Sequence, residues 1–411
     1  MSFKINIGDA TEDEVQRSVE SAFSPLFVFR APRKDEDQEE VTDVLVPWDD
    51  VALVIQVKAQ AVGASGADVG NSLRWAKKNL SKAGRQVAGA IRAIRDGRMT
   101  HMENPLRGRA PFPSHEIKWL YGVIVLHHVS PAYDPFQLVP ELQQTTVPLH
   151  VLSFRDFQNL AYFLDTPVDL INYFEERSSV LLPTLRPQVH EEEAVFRYWL
   201  GNLESLTAFR AANLGESCTE EDVRVYAEHL RRLWAGALPE AGLGGVIDHM
   251  IARAHEHDPS LAPPRRSEEV MIKPSDPVSV AAELSKIPRV RRIALGRRYW
   301  RTIWRAAEHQ SDAMRTTYSR SRNECMLFLA SPLPITEREE RRNRLLDYTE
   351  MLKHYRQVRK AIGIATEAGE DAGRSYDFVV IEHEPIENAE AFLAAQEFFC
   401  NEEKLLSADL P

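Results

Sequence analysis

The chain has 411 residues, of which 44% are hydrophobic and 27% are charged, and its formal net charge is -11. This composition excludes an intrinsically disordered chain and predicts a globular protein of two or three domains. The net negative charge argues weakly against nucleic acid as a partner, but the charge is distributed unevenly along the chain.

The first 180 residues alternate between helical and extended patterns. A helix is predicted to begin at Thr11 and to end at Ser24, because apolar residues recur there at helical spacing. Further predicted elements are strands at Leu26–Arg30, Val41–Val46, Val51–Lys58, Lys118–Leu126 and Pro148–Leu152, a long helix at Ser72–Arg95 and a helix capped by Ser153. This order predicts an α/β domain with a mixed sheet flanked by helices, in which the apolar Val51–Lys58 is a central strand.

The rest of the chain is predicted to be mostly helical, with a small strand element. A proline-containing segment at Leu182–Gln188 ends the first domain, and His257–Pro277 has the composition of a linker. Two apolar strands are predicted at Met326–Ala330 and Phe378–Ile381. The predicted domains are therefore residues 1–182, a helical domain at 190–256, and a recognition or partner-binding domain at 278–411.

Cysteine usage and the N-terminal sequence indicate the cellular compartment. Cys218, Cys325 and Cys400 are widely spaced, which predicts neither a disulfide framework nor a zinc site. The first residues lack a signal-peptide pattern, and no apolar run approaches the ~18 residues that span a bilayer. We therefore expect a cytoplasmic protein without a membrane partner.

Three polar side chains stand out around the predicted central strand. Gln56 and Lys58 are two residues apart and therefore point to the same face, and Asp43 lies on the neighbouring strand. A carboxylate and an amide oxygen can hold a hard divalent cation such as Mg²⁺ or Mn²⁺. An adjacent lysine can orient or deprotonate a water molecule and stabilise charge on a phosphate. This pattern predicts a site for phosphodiester hydrolysis.

The pattern formed by Asp43, Gln56 and Lys58 resembles that of the PD-(D/E)xK nuclease superfamily. Glutamine replaces the usual acid, as in Mrr-like and NERD-type restriction endonuclease domains. The resemblance covers about residues 10–180 and implies a restriction-endonuclease-like fold. It implies that Asp43 and Gln56 bind Mg²⁺ or Mn²⁺, that Lys58 is catalytic, and that the substrate is DNA rather than RNA. Restriction or antiviral defence and an endonuclease mode are implied by this resemblance alone.

The same resemblance implies a further carboxylate on the first helix and a glutamine on the long helix. Glu14 is the candidate for the catalytic carboxylate, with Glu20 in reserve, and Gln86 is the candidate glutamine. Thr11 and Glu14 also match a capping box, which would give Glu14 a purely structural role.

Two basic segments contrast with the acidic chain. Residues 74–98 contain eight basic residues and one acid, and residues 286–305 contain eight basic residues and no acid. The predicted phosphate-binding side chains are Arg74, Lys78, Lys82, Arg85, Arg297, Arg301 and Arg305. The alternative is that both segments are solvated helix faces. Helical spacing favours the core over base stacking for Trp300 and Trp304.

Two other functional classes stay open. The nuclease-like domain could be a catalytically silent binding module, because glutamine is a weaker metal ligand than glutamate. Alternatively, the protein could be a subunit of a defence or repair complex whose C-terminal half binds a partner protein or a second copy of the chain.

Overall fold

The computed structural model describes residues 7–60, 69–127, 148–178, 241–254, 265–267, 270–272, 277–287, 289–319, 323–369, 375–385 and 392–399. These residues belong to two compact units, the first within 1–239 together with 285–289 and the second within 240–284 and 290–411. Cys218, Cys400, the segment 182–188 and most of the predicted helical domain at 190–256 lie outside the described residues. Among the helices in these ranges, none is long and apolar enough to cross a membrane.

The first unit contains a mixed sheet with helices packed against it, as the sequence predicts. Its elements are α1 (Ile7–Phe23), a 3₁₀ turn (Pro25–Phe27), β1 (Phe29–Arg30), β2 (Val44–Trp48), β3 (Val51–Ala59), α2 (Val69–Arg95), β4 (His101–Asn104), β5 (Gly108–Pro111), β6 (Trp119–His127), β7 (Leu149–Ser153), α3 (Phe154–Phe163) and α4 (Pro167–Glu176). The strand order is β1-β2-β3-β6-β7. The first three strands are antiparallel, whereas β3, β6 and β7 are parallel.

The long helix α2 connects the parallel strands β3 and β6 and packs on both of them. Its residues Ala76, Leu80, Ala83 and Val87 are fully buried at three- and four-residue spacing, which places them on one face. Gly122 of β6 allows this close approach, because a Cβ atom there would lie 2.6 Å from Cγ1 of Val87. The apolar stripe of α2 therefore fixes which of its other side chains reach the end of β3.

Local structure at the start of the chain differs from the prediction. Because α1 spans Ile7–Phe23, Thr11 lies inside the helix and donates a hydrogen bond from Oγ1 to the carbonyl of Ile7. The predicted capping box is therefore wrong. The helix ends before Pro25, as predicted, but Ser24 adopts φ 67° and Pro25 begins a 3₁₀ turn, so the strand that follows is reduced to Phe29–Arg30.

Two further local features can be compared with the sequence pattern. Ser153 caps α3 as predicted, because its side chain accepts a hydrogen bond from the backbone N–H of Asp156. The hairpin of β4 and β5 was not predicted. It forms a separate two-stranded sheet, and strands this short carry little periodic signal.

The second unit combines helices with a four-stranded sheet. Its elements are α5 (Ala241–Arg253), β8 (Arg265–Ser267), β9 (Val270–Ile272), α6 (Pro277–Ser285), α7 (Arg289–His309), β10 (Ala313–Ser319), β11 (Glu324–Ser331), a 3₁₀ turn (Ile335–Glu337), α8 (Arg338–Arg356), β12 (Lys360–Glu367) and β13 (Tyr376–Glu382). The sheet order is β10-β11-β12-β13, with a parallel pair at the centre. Both predicted apolar strands are present, as the inner strand β11 and the edge strand β13.

A buried ionic cluster ties α8 to the sheet of the second unit. Asp377 of β13 is 0% exposed and accepts hydrogen bonds from Nε of Arg338 at 2.7 Å, Arg341 at 2.7 Å and Arg342 at 2.6 Å. Glu367 lies 2.8 Å from Nη1 of Arg341. Burial alone would raise the pKa of Asp377, but the charges of the three arginines lower it below its usual value.

Candidate active site

The register of β2 and β3 brings the three predicted residues together. Val44 pairs with Ile55, so Asp43, which precedes β2, lies opposite Gln56. Opposite residues of an antiparallel pair share a face, and Lys58 shares that face with Gln56 because it is two residues further along. The neighbouring backbone is fixed by Thr42, whose Oγ1 donates to the carbonyl of Ile55 at 2.7 Å.

Asp43 is a buried carboxylate held by two donors. It is 7% exposed, and its Oδ2 accepts a hydrogen bond from the backbone N–H of Val57 at 2.5 Å and another from Nε2 of Gln56. Gln56 itself is 3% exposed. A buried carboxylate would be destabilised without such partners, so these donors explain how Asp43 is accommodated next to an apolar strand.

Lys58 lies beside Asp43. Its Nζ is 3.9 Å from Oδ2 of Asp43 and donates a hydrogen bond to the carbonyl of Val57 at 2.8 Å. The side chain is 14% exposed. Burial lowers the pKa of Lys58, and the charge of Asp43 opposes this shift only in part. Lys58 is thus a half-buried cation beside a buried anion.

Two additional carboxyl groups adjoin Asp43, and sequence reasoning missed both. Glu40 is hydrogen-bonded to Asp43, and the loss of hydration, this bond and the charge of Asp43 raise the pKa of Glu40 to about 7. Glu12 of α1 is close enough that burial, followed by the charge of Asp43, raises its pKa as well. The charge of Asp43 therefore disfavours the ionised form of both Glu40 and Glu12.

The helical phase of α1 explains why Glu12 and not Glu14 adjoins the site. At about 100° per residue, Glu12 falls between Val19 and Phe23 of the buried stripe. The side chain of Glu14 is 46% exposed and forms an ion pair with Arg17 at 2.8 Å. Glu20 accepts a hydrogen bond from Gln16 at 2.7 Å. A helical wheel of α1 could have identified Glu12 as the carboxylate that faces the sheet. No sequence signal distinguishes Glu40 from the other acidic residues of the run that it ends.

The oxygen atoms of the site are of the types that bind a divalent cation, although they are not already arranged around a single position. Across the described ranges, no three His, Cys, Asp or Glu side chains are grouped closely enough to hold a metal ion. Asp43 and Glu40 nevertheless offer hard oxygen donors to the same space, and a cation there would offset their mutual repulsion. Gln56 would contribute Oε1 after a half-turn of its terminal amide, which leaves the strand unchanged.

A cavity of about 430 Å³ opens beside Gln56, between β3 and α2. Gln86 of α2 lines it, which brings the predicted glutamine next to the site. Its charged lining residues are Lys34, Glu40, Arg92 and Arg98. Lys82, one turn before Gln86, is close enough to Lys58 for its charge to lower the pKa of that lysine. One face of α2 is therefore directed toward the candidate site.

The remaining predicted phosphate-binding residues are distributed over both units. Arg74, Lys78 and Arg85 are exposed on α2, and Arg85 donates a hydrogen bond to Ser81 at 2.9 Å. Arg297 and Arg301 are exposed on α7, and Arg305 is half-buried there. The prediction that the two interleaved tryptophans lie in the core is wrong, because Trp300 is 37% and Trp304 is 59% exposed.

Comparison with known proteins finds no family model, no curated protein and no solved structure that this chain matches. A functional proposal therefore rests on the geometry of the site and on the motif that its residues form.

Proposed function

We propose that the first unit hydrolyses phosphodiester bonds of DNA with the help of a bound divalent cation. The observation that carries this proposal is the convergence of Asp43, Gln56 and Lys58 on one face at the ends of β2 and β3. These residue types match the chemistry of the reaction. The surrounding mixed sheet and crossover helix agree with the fold that the motif implies.

The side chains can be assigned separate tasks. Asp43 and Gln56 would hold Mg²⁺ or Mn²⁺, and Glu40 lies close enough to Asp43 to contribute a third oxygen. When bound, such a cation polarises a phosphate and lowers the pKa of a coordinated water molecule. Lys58 would donate hydrogen bonds to the attacking water or to a phosphoryl oxygen, where its charge offsets the negative charge that develops.

The basic side chains around the cavity support a polyanionic substrate. Lys34, Arg92 and Arg98 line the cavity beside Gln56, and Lys82 borders Lys58. Phosphate groups are the ligands that such clusters of lysine and arginine bind in nucleic acid complexes. A strand held along α2 would therefore pass its backbone next to the candidate catalytic residues.

The test is a cleavage assay on the full chain with plasmid DNA, linear DNA and RNA, in Mg²⁺, Mn²⁺ or EDTA. We expect cation-dependent cleavage of DNA. Asp43→Ala should abolish it, and Lys58→Ala should slow it by about 10²- to 10⁴-fold, the usual contribution of a positioned acid–base or electrostatic group. Lys118→Ala is the matched control, because this lysine is 71% exposed in the same unit and pairs with Asp50.

The proposal is wrong if folded Lys58→Ala cleaves DNA as fast as the parent protein under the same conditions. Cleavage of RNA alone would keep the catalytic assignment and change the substrate.

A second candidate function follows from the contacts of Asp43. Its Oδ2 already accepts two protein hydrogen bonds, from Gln56 and Val57, so the carboxylate is satisfied without a cation. This arrangement would suit a catalytically silent module that binds DNA through α2. Such a module should bind DNA equally well in EDTA and in Mn²⁺ and should not cleave it, whereas a nuclease requires the cation for turnover.

A further inference from the structure

Helix α7 of the second unit presents an unusual combination of side chains on its outer face. Leu295, Tyr299, Ile303 and Ala306 are buried at helical spacing and attach the helix to its unit. The opposite face carries both tryptophans, exposed by 37% and 59% of their surface. Two neighbouring exposed indoles form a contiguous apolar patch, and such patches mark binding surfaces in a way that a single exposed apolar side chain does not.

The two tryptophans form a regular pair. Trp300 and Trp304 are four residues apart, which places them on the same face about 6 Å apart along the helix axis. Arg297 and Arg301 are exposed beside them, each three residues before one of the tryptophans. The same face also carries one acidic residue, Glu308. Its character is therefore aromatic and predominantly cationic, in a chain whose net charge is -11.

We propose that this face of α7 binds single-stranded nucleic acid, with unpaired bases stacked on Trp300 and Trp304 and phosphates contacted by Arg297 and Arg301. Aromatic side chains interleaved with basic ones are the combination that single strands require, since the aromatic rings stack on the bases and the cations bind the backbone. Bases in a duplex are already stacked on one another, so an exposed indole pair offers little to a duplex.

Charge decides between a nucleic acid and an apolar protein surface as the occupant. The arginines beside the tryptophan pair would have to be desolvated against an apolar partner, which is unfavourable without compensating acids. A phosphate backbone provides those negative charges at regular intervals. The inference does not rest on the proposed nuclease activity, because binding by α7 requires no residue of the first unit.

The test measures binding of the full chain to a fluorescent oligothymidylate, an oligouridylate and a DNA duplex of equal length, in EDTA so that no cleavage occurs. Trp300→Ala combined with Trp304→Ala should weaken binding of the single strands by about 30-fold or more. Replacement of both tryptophans by phenylalanine should retain most of the affinity, because the stacking faces persist. Trp119→Ala is the matched control, since this tryptophan is 60% exposed in the first unit.

Salt dependence tests the role of the arginines independently. Arg301→Gln should reduce the slope of log affinity against log salt by about 0.7 for a single strand, the value for one lost phosphate contact. DNA and RNA oligomers bound alike would indicate stacking and backbone contacts that do not depend on the sugar.

Three results would overturn the proposal. The first is unchanged single-strand affinity in a folded Trp300→Ala/Trp304→Ala protein. The second is an equal loss for the duplex, which would indicate a nonspecific cationic surface. The third is a dimer of the parent protein that dissociates in the double variant, which would assign the face to a second copy of the chain. None of these readouts depends on cleavage, so they can be interpreted whether or not the first unit is a nuclease.

Discussion

Gln56→Glu replaces a buried hydrogen-bond donor by a second carboxylate directly against Asp43. Without a cation, the variant loses the hydrogen bond from Gln56 to Asp43 and gains a repulsion between like charges. Two unit charges about 4 Å apart interact by about 4 kcal/mol at the effective dielectric constant of ~20 that suits protein sites. The stability of a typical domain is only about 5–15 kcal/mol, so a loss of this size is easily measured.

A bound divalent cation should reverse much of this loss. A ligand present at about 100 times its dissociation constant stabilises the folded state by about 2.7 kcal/mol, and two carboxylates bind Mn²⁺ more tightly than a carboxylate and an amide. The stability of Gln56→Glu should therefore depend on Mn²⁺ far more than that of the parent. Activity should be preserved or raised, because glutamate is the commoner residue in the superfamily that the motif resembles.

The assay is urea denaturation at pH 8 in EDTA and in Mn²⁺, for the parent protein, Gln56→Glu and Gln86→Glu. Gln86 lines the same cavity but is exposed, so a carboxylate there should leave the stability in EDTA nearly unchanged. If Gln56→Glu is as stable as the parent in EDTA and gains no more from Mn²⁺, then Asp43 and residue 56 do not form a cation-binding pair.

Three other predictions concern the surroundings of the site and the scaffold. Lys78→Gln combined with Lys82→Gln should weaken DNA binding in a titration and reduce the slope of log affinity against log salt by about one unit per lost phosphate contact. An unchanged slope would indicate that the basic face of α2 is solvated and does not bind DNA. Asp377→Asn should destabilise the second unit by about 3–5 kcal/mol at pH 7 in urea, because it removes the carboxylate paired with buried Arg342 and leaves Glu367 as the carboxylate beside Arg341. The pKa of Asp377 in the folded protein is lowered from 3.8. The stability that its carboxylate contributes is therefore present above that value and is lost as the pH falls through the folded-state pKa. The difference in stability between the parent protein and Asp377→Asn should accordingly shrink on acidification. Gly122→Ala should cost about 1–3 kcal/mol in thermal or urea unfolding, because its Cβ would overlap a side chain of α2; unaltered stability would show that α2 can shift away.

Local pattern by itself determined the central part of the first unit. Val51–Ile55 is apolar without alternation, which identifies a strand buried on both faces, and the two-residue spacing of Gln56 and Lys58 fixes their common direction. The stripe of α2 and the cap at Ser153 are likewise local properties, because both depend on residues within a few positions of each other. These features were predictable since periodicity and capping require no knowledge of distant contacts.

Only the tertiary structure decided which other groups reach the candidate site. Glu12, rather than Glu14, adjoins Asp43 because the rotation of α1 about its axis is set by packing on the sheet. Glu40 was indistinguishable from its acidic neighbours until the turn before β2 placed it against Asp43. The exposure of Trp300 and Trp304 was also undetermined, because helical spacing aligns two side chains on one face but does not say whether that face meets the core or the solvent.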